Sequence, residues 1–455
     1  MGMGRRAGER QEEFWIETGA LPDVPRHCFY DKLNGILADG EFDEFVEEFC
    51  EPFYADNIGR PGIPPGVYFR MLFIGYFEGI DSQRGIAWRC ADSLSLKSFL
   101  GYELTEATPD HSSLTRIRDR LPLEIHEQVF AFVLALADDH KLLSNKTVAV
   151  DSTMLEANAA MKSIVRKETG EDWKAYVKRL AAAEGIEIDN DEDLRKYDKT
   201  RKNKRVSNEN WESESDDDAR IAKMKDGRTH LAYKAEHTID LDSEFILDAS
   251  VHHANEADSA TLLTSLTAAQ SNLEEANVFR NIEEVVADKG YHKNETLADC
   301  EHWNCLGVRT YIPEPNSVYE RRWTDKPPEY QEAVYANRRR VKGERGKRLQ
   351  KLRSEIVERS FAHVCNTGGA RRTWLRGIEK VSKRYKVHVA ARNLGLMMRR
   401  LFGIGKPRCR WGSWGFMHPL QIAIRTFRNV LDRSKIARLS IRPYQQQLPQ
   451  LTTAI

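Results

Sequence analysis

Two short runs, Val148-Ala149-Val150-Asp151 and Val285-Val286-Ala287-Asp288, each end an apolar triplet on a carboxylate. Triplets this short and this free of polar residues predict strands buried on both faces of a sheet. A carboxylate just beyond such a strand emerges at the sheet edge, with rigid backbone beneath it and solvent in front. Either aspartate alone would ordinarily be read as a turn cap. Two of them, in one series of strands and helices, point instead to a shared site of oxygen ligands.

The series supports that reading. Thr229–Ile239 and Glu244–Val251 predict an antiparallel hairpin with its turn near 240–243, and Asp258–Gln270 predicts a helix. A helix over 294–302 and a strand over 307–312 follow the second triplet, and 314–346, rich in Pro, Arg and Lys, reads as a loop. Lys347–Val364 then places Leu349, Leu352, Ile356, Val357, Phe361 and Val364 on one helical face. Residues 160–225 interrupt the strands with a charged stretch, read as a helical or partly disordered insertion. Residues 1–140 read as short helices, among them one started by Asp81-Ser82 and one opened by Asp110. Arg116, Arg118 and Arg120 suit a DNA-contacting unit and an ordinary bundle equally.

A third acid on a nearby helix would complete a cage of hard oxygen ligands, suited to Mg²⁺ or Mn²⁺. Two such ions, roughly 3.5–4 Å apart, can stabilise the attacking and leaving oxygens of a displacement at phosphorus. The helix offers Glu355 and Glu358, about 60° apart and both off the apolar stripe, so periodicity does not choose between them.

Charge bears on the substrate. Lys plus Arg and Asp plus Glu each number 69, a neutral total. The distribution is uneven: from Arg371 to Arg410 thirteen basic residues face one acid, Glu379, and from Tyr335 to Arg353 nine face Glu344. Both runs flank the acidic helix, and contact with nucleic acid is expected there. Arg371, Arg372 and Arg376 are the candidates for DNA-end contacts. Trp374 and Tyr385 are open to two readings, base stacking or core packing. Seven cysteines without a CxxC pair read as reduced thiols of a cytosolic protein. Cys300, His302 and Cys305 cluster without the second ligand pair of a zinc site. No signal-peptide stretch opens the chain, and the most apolar run, Tyr68–Phe77, is too short for a membrane span and contains Arg70.

Several segments, in order, resemble one family. They are the helical stretch Phe69–Arg84 with Thr108-Pro-Asp-His-Ser-Ser-Leu-Thr-Arg-Ile-Arg118, then Val148-Ala-Val-Asp-Ser-Thr153, Asp218–Lys234, Val286-Ala-Asp-Lys-Gly-Tyr291 and Ile356-Val-Glu-Arg-Ser-Phe-Ala-His363, with Gly368–Gly377 after it. The chain resembles bacterial insertion-sequence transposases of the DDE class, in the IS-four/IS-five superfamily and nearest its IS-eleven-eighty-two-like branch. The resemblance implies an α+β protein: an N-terminal helical, DNA-binding domain (1–140), a ribonuclease-H-like catalytic domain with a mixed sheet (141–405, inserted at about 160–225) and a C-terminal tail (406–455). It implies Asp151, Asp288 and Glu358 as catalytic metal ligands for two Mg²⁺ or Mn²⁺ ions. It further implies double-stranded DNA, as terminal inverted repeats and target, for substrate, a homo-oligomer on DNA, and a cytoplasmic, nucleoid-associated location. The wider superfamily often has a tyrosine, an arginine and a lysine around the third acid. Lys351, Ser354 and Cys365 stand at those positions here, with Arg353 or Arg359 as candidate substitutes for the arginine. Two other functions remain open at this point: a metal-dependent nuclease of the same fold without strand transfer, and a non-catalytic DNA-binding protein.

Overall fold

The computed structural model describes residues 27–54, 62–144, 146–202, 207–224, 226–302, 307–316 and 321–407. Cys305, most of the 406–455 tail and the end of the second basic run lie outside the described residues.

Among the described residues seven α-helices come first: α1 (Cys28–Asp39), α2 (Phe42–Cys50), α3 (Pro65–Glu78), α4 (Gln83–Ala91), α5 (Leu94–Phe99), α6 (His111–Arg120) and α7 (Leu123–Asp139). The hydroxyl of Ser82 accepts the Gly85 amide (3.0 Å) and Asp110 accepts that of Ser112 (2.8 Å), so both helix starts satisfy otherwise orphaned backbone donors. Helix α3 is buried nearly all round, which explains why its sequence is apolar without being amphipathic. Arg70 is tolerated in it because it pairs with Asp43 and lies over the rings of Phe42 and Phe99.

The second half is built on β1 (Thr147–Glu156), β5 (Thr229–Asp240), β6 (Ile246–His253), β7 (Glu284–Val286) and β8 (Arg309–Tyr311). Strand β5 runs antiparallel to both β1 and β6, whereas β7 is parallel to β1 and β8 parallel to β7. This α+β arrangement, a mixed sheet behind an N-terminal helical region, is ribonuclease-H-like. Helices α10 (Asp258–Glu275) and α11 (Asn294–Glu301) connect β6 to β7 and β7 to β8.

Between β1 and β5 the chain makes an excursion: β2 (Ile164–Arg166), α8 (Trp173–Ala183), α9 (Asp191–Thr200), β3 (Trp211–Ser213) and β4 (Arg220–Lys223). The charged insertion is therefore not helical throughout. Strands β2 and β3 form a small ladder of their own, and β4 joins the main sheet beside β5.

The stretch 314–346 also differs from its sequence reading as a loop, since 328–342 is helix α12 (Pro328–Lys342). Proline at the first helical turn fits its fixed φ, and Ala333, Val334 and Asn337 make a narrow buried face among charges. The buried amide of Asn337 binds both the N–H (2.9 Å) and the carbonyl (2.7 Å) of Ile312, which fastens α12 to the end of β8.

Helix α13 (Glu344–Phe361) follows and passes through a π-helical turn over 362–367. Helix α14 (Ile378–Phe402) is the last among the described residues. Sixteen of its 25 residues are buried. It packs on α3, α7 and β6, so helical region and sheet share one hydrophobic core.

Candidate active site

The parallel register of β1 and β7 pairs Ala149 with Val286. Asp151 and Asp288 each lie two residues further on, so they emerge side by side. Strand β7 stops at Val286 while β1 continues along β5, which leaves Asp151 beside an open edge. The Oδ1 of Asp151 accepts the Ser152 amide (2.8 Å), and its Oδ2 accepts from Arg353 on α13 (2.7 Å). Burial pushes the Asp151 carboxyl above the usual carboxylate range and the charge of Asp288 pushes the same way, while Arg353 and the Ser152 amide oppose them. Asp288 caps the short turn Lys289–Tyr291 by accepting the Gly290 amide (2.7 Å).

Helix α13 crosses this edge. Gln350 donates to the carbonyls of Ala287 (3.1 Å) and Tyr311 (2.6 Å), just ahead of Asp288, and Arg353 reaches Asp151. At 100° per residue, Glu358 projects about 80° from Gln350 and about 140° from Arg353. It is exposed and makes no ion pair or side-chain hydrogen bond among the described residues. Glu355 is engaged elsewhere, by Arg359 at 2.5 Å, and Arg359 also reaches Glu244.

The site thus brings Asp151 and Asp288 together and leaves Glu358 on the flank of the crossing helix. Among the described residues no three His, Cys, Asp or Glu side chains are grouped to hold a metal ion. The two aspartates fit a divalent cation by donor chemistry and by their mutual repulsion, which a cation would relieve. The third acid does not join them in this arrangement.

The sequence reading missed what surrounds the aspartates. Along β5, Lys234, Glu236 and His237 are buried at 1%, 0% and 0% exposure. Glu236 stands opposite Ser152 and His237 opposite Asp151, on opposite sheet faces. Asp258, at the start of α10, accepts from Ser152 Oγ (3.0 Å) and Lys234 (3.3 Å). An ideal Cβ on Gly290 would lie 3.0 Å from Asp288 Oδ1 and 3.1 Å from Asp258 Oδ2, so these carboxylates converge on that glycine. The available signal was three ionisable residues in a run otherwise patterned as a buried strand.

The basic runs divide. In α14, Lys383, Lys386 and Arg392 are buried and engaged internally, with Glu379, Asp248 and the Glu244 carbonyl respectively. Tyr385 is also buried and bonds His237 (2.7 Å), so of the two readings its place is in the core. Arg338, Arg340, Arg345 and Arg353 likewise pair with Glu314, Glu301, Glu284 and Asp151. Charge density in the sequence therefore overstated the free basic surface, because much of it is paired with carboxylates, two of which, Asp248 and Glu284, are buried.

The candidate DNA contacts Arg371, Arg372 and Arg376 lie on a segment that runs alongside the end of β1: the Glu156 amide donates to the Arg371 carbonyl (3.0 Å) and the Thr373 amide to the Glu156 carbonyl (2.9 Å). Arg372 and Arg376 are exposed and Arg371 half-buried. Trp374 is 51% exposed with the Arg372 guanidinium 5.0 Å from its ring centre. A cavity of about 460 Å³ opens beneath Trp374, between the helical region and α14, and none of the three acids lines it.

Comparison with known families agrees with this architecture. Residues 20–120 match the family described as Transposase domain (DUF772), and residues 144–394 match that described as Transposase DDE domain. The second match spans more than half of the chain, and the chain belongs to the DDE transposases. It is a DDE-type DNA transposase, of a family that works with divalent metal ions in general. No curated protein and no solved structure matches it. No described helix is long and apolar enough to cross a membrane.

Proposed function

We propose that this transposase cleaves DNA at the ends of an insertion element and joins them to target DNA, with Asp151, Asp288 and Glu358 as its acidic residues. The observation that carries the reading is the pair Asp151–Asp288, held side by side where β7 ends against the middle of β1. Glu358 is preferred to Glu355 because it projects nearer the Gln350–Ala287 contact and is not tied to a cation.

Bound divalent ions, two of them in this reading, would neutralise charge at phosphorus and activate the attacking oxygen, water for cleavage and the freed 3′-hydroxyl for joining. The chain's own contribution is placement. Asp151 presents its oxygens from the middle of β1 and Asp288 from just beyond β7, both on rigid backbone, and Arg353 pairs with Asp151. Arg371, Arg372 and Arg376 line the exit of β1 and would bind the phosphates of the element end.

The same reading divides the chain at about residue 140 into a DNA-binding helical unit and the catalytic unit, with an insertion near 160–225 and a tail from 406. It puts the protein in the IS-eleven-eighty-two-like branch of the IS-four/IS-five superfamily, acting as a homo-oligomer on paired DNA ends in the bacterial cytoplasm at the nucleoid.

The test is cleavage of a plasmid carrying the gene with its flanking DNA, in Mg²⁺ or Mn²⁺. Wild type is expected to cut at the element ends, and Asp151→Asn and Asp288→Asn to lose cutting by at least about a hundredfold. Retained cutting in Asp288→Asn sinks the assignment. Pre-cleaved ends distinguish a transposase from a nuclease, since only the former joins them to a second plasmid.

A further inference from the structure

The turn that carries Asp288 is held from below. Its last residue, Tyr291, is fully buried, and its hydroxyl donates to Glu236 Oε2 at 2.8 Å. Glu236 lies in the middle of β5 with no exposure, and it also accepts from Thr261 (2.8 Å) and Ser265 on α10. Its neighbour Lys234 donates to the Glu256 carbonyl (2.9 Å), Asp258 (3.3 Å) and Thr261 (3.2 Å). A buried carboxylate is expensive unless its lone pairs are satisfied. Here it accepts three hydroxyl donors, one of them from the turn of Asp288. A leucine or methionine would fill the same volume without that demand, so packing alone does not account for a glutamate at this position.

We propose that Glu236 and Tyr291 are a positioning pair for Asp288. The inference rests on Asp288 being a metal ligand, as read above. The Asp288 carboxylate caps a three-residue turn anchored at one end by β7 and at the other by the Tyr291 hydroxyl. With that hydroxyl fixed, the backbone that presents the carboxylate is held in place. Without it, the far end of the turn keeps the ring packing of Tyr291 and the turn's own hydrogen bonds but loses its tie to β5. Groups behind metal ligands act in this way, and their loss typically lowers metal affinity 10–100-fold.

The test uses the full-length protein and Mn²⁺ alone, followed by titration calorimetry, with thermal melting in metal-free buffer as the control. Tyr291→Phe keeps the ring and removes only the hydroxyl. It is expected to weaken Mn²⁺ binding by about tenfold with little change in melting temperature. Glu236→Gln keeps an acceptor oxygen for Tyr291 and is expected to bind Mn²⁺ within about threefold of wild type, well short of the Tyr291→Phe loss. A merely structural hydroxyl would shift melting and leave Mn²⁺ affinity alone. Wild-type Mn²⁺ affinity in Tyr291→Phe overturns the positioning pair. Asp288→Asn separates the two levels of inference. If it loses Mn²⁺ affinity while Tyr291→Phe does not, the site stands and only the positioning pair fails. If Asp288→Asn binds Mn²⁺ like wild type, the site reading fails and the positioning pair with it.

Discussion

Outside the Asp151–Asp288 pair, the carboxylates near the site differ in how much else claims them. Glu355 is taken by Arg359, Asp258 by Ser152 and Lys234, and Glu358 by no group among the described residues. Glu358→Gln is therefore expected to abolish metal-dependent cleavage of element ends, by about a hundredfold or more, and Glu355→Gln to leave it within a few-fold of wild type. The plasmid assay decides, and equal losses in the two variants would remove the preference for Glu358. Arginines that look alike in sequence also part company. Arg372→Ala and Arg376→Ala, both at exposed positions, should each lower the slope of log affinity against log salt by roughly 0.9, the contribution of one phosphate contact. An unchanged slope in both would take them off the DNA path.

Helix α14 shows how an element can mislead a reader of charge. Lys386 is almost fully enclosed and lies 3.0 Å from Asp248, itself 1% exposed. Lys386→Ala would strand that aspartate, at a cost of about 3–5 kcal/mol. Denaturant melts are expected to show that loss, while the DNA salt slope of any protein that remains folded stays at the wild-type value. A lost slope without lost stability would return Lys386 to the DNA surface.

The two catalytic strands were legible for the opposite reason: Val148-Ala149-Val150 and Val285-Val286-Ala287 are buried on both faces and contain nothing but apolar residues, so their pattern has one reading. Hairpin β5–β6 and helix α13 were legible from periodicity as well. Helix α12 was not, because its buried face comprises only Ala333, Val334 and a hydrogen-bonded Asn337. Nor could pattern reveal that Glu236 and His237 secure the site. Their roles depend on groups 55 and 123 residues away in sequence, Tyr291 and Ser360, that meet them only in the folded chain.

At the scale of the whole molecule, one core joins helical region and sheet, and it contains histidines held neutral. His126 donates from Nδ1 to the Pro122 carbonyl (3.0 Å) and accepts the Tyr68 hydroxyl at Nε2 (3.3 Å), and burial pulls its pKa down to about 4. His388, against α3, is also held well below the ordinary value, chiefly by burial. The unfolded chain protonates these rings near pH 6.5 while the folded chain resists, so their contribution is complete above about 6.5, and that of His126 is lost as pH falls towards 4. Buried carboxyls such as Asp151 and Glu301, pushed upward by burial, work in the other direction over part of that range. The histidine share is therefore best isolated by difference: stability should fall less steeply between pH 6.5 and 4.5 in His126→Gln than in wild type. Parallel curves would mean that His126 takes up its proton without unfolding.

The ladder of β2 and β3 has a consequence for how such chains vary in length. Arg166 pairs with Trp211, and the Lys167 amide donates to the Asn210 carbonyl at 3.1 Å, so the segment holding α8 and α9 leaves and returns at adjacent points. Closing a loop costs free energy only logarithmically in its length. A chain could therefore carry at this neck a tight turn, the present pair of helices or an entire foreign unit, and the aspartates, in mid-β1 and just after β7, would keep their places. A single-residue deletion within β5 is the reverse case. It would exchange the faces of Glu236 and His237 and release the Asp288 turn and helix α13 together. Diversity in chains built on this plan should accumulate at the neck and be absent from the strand beside it.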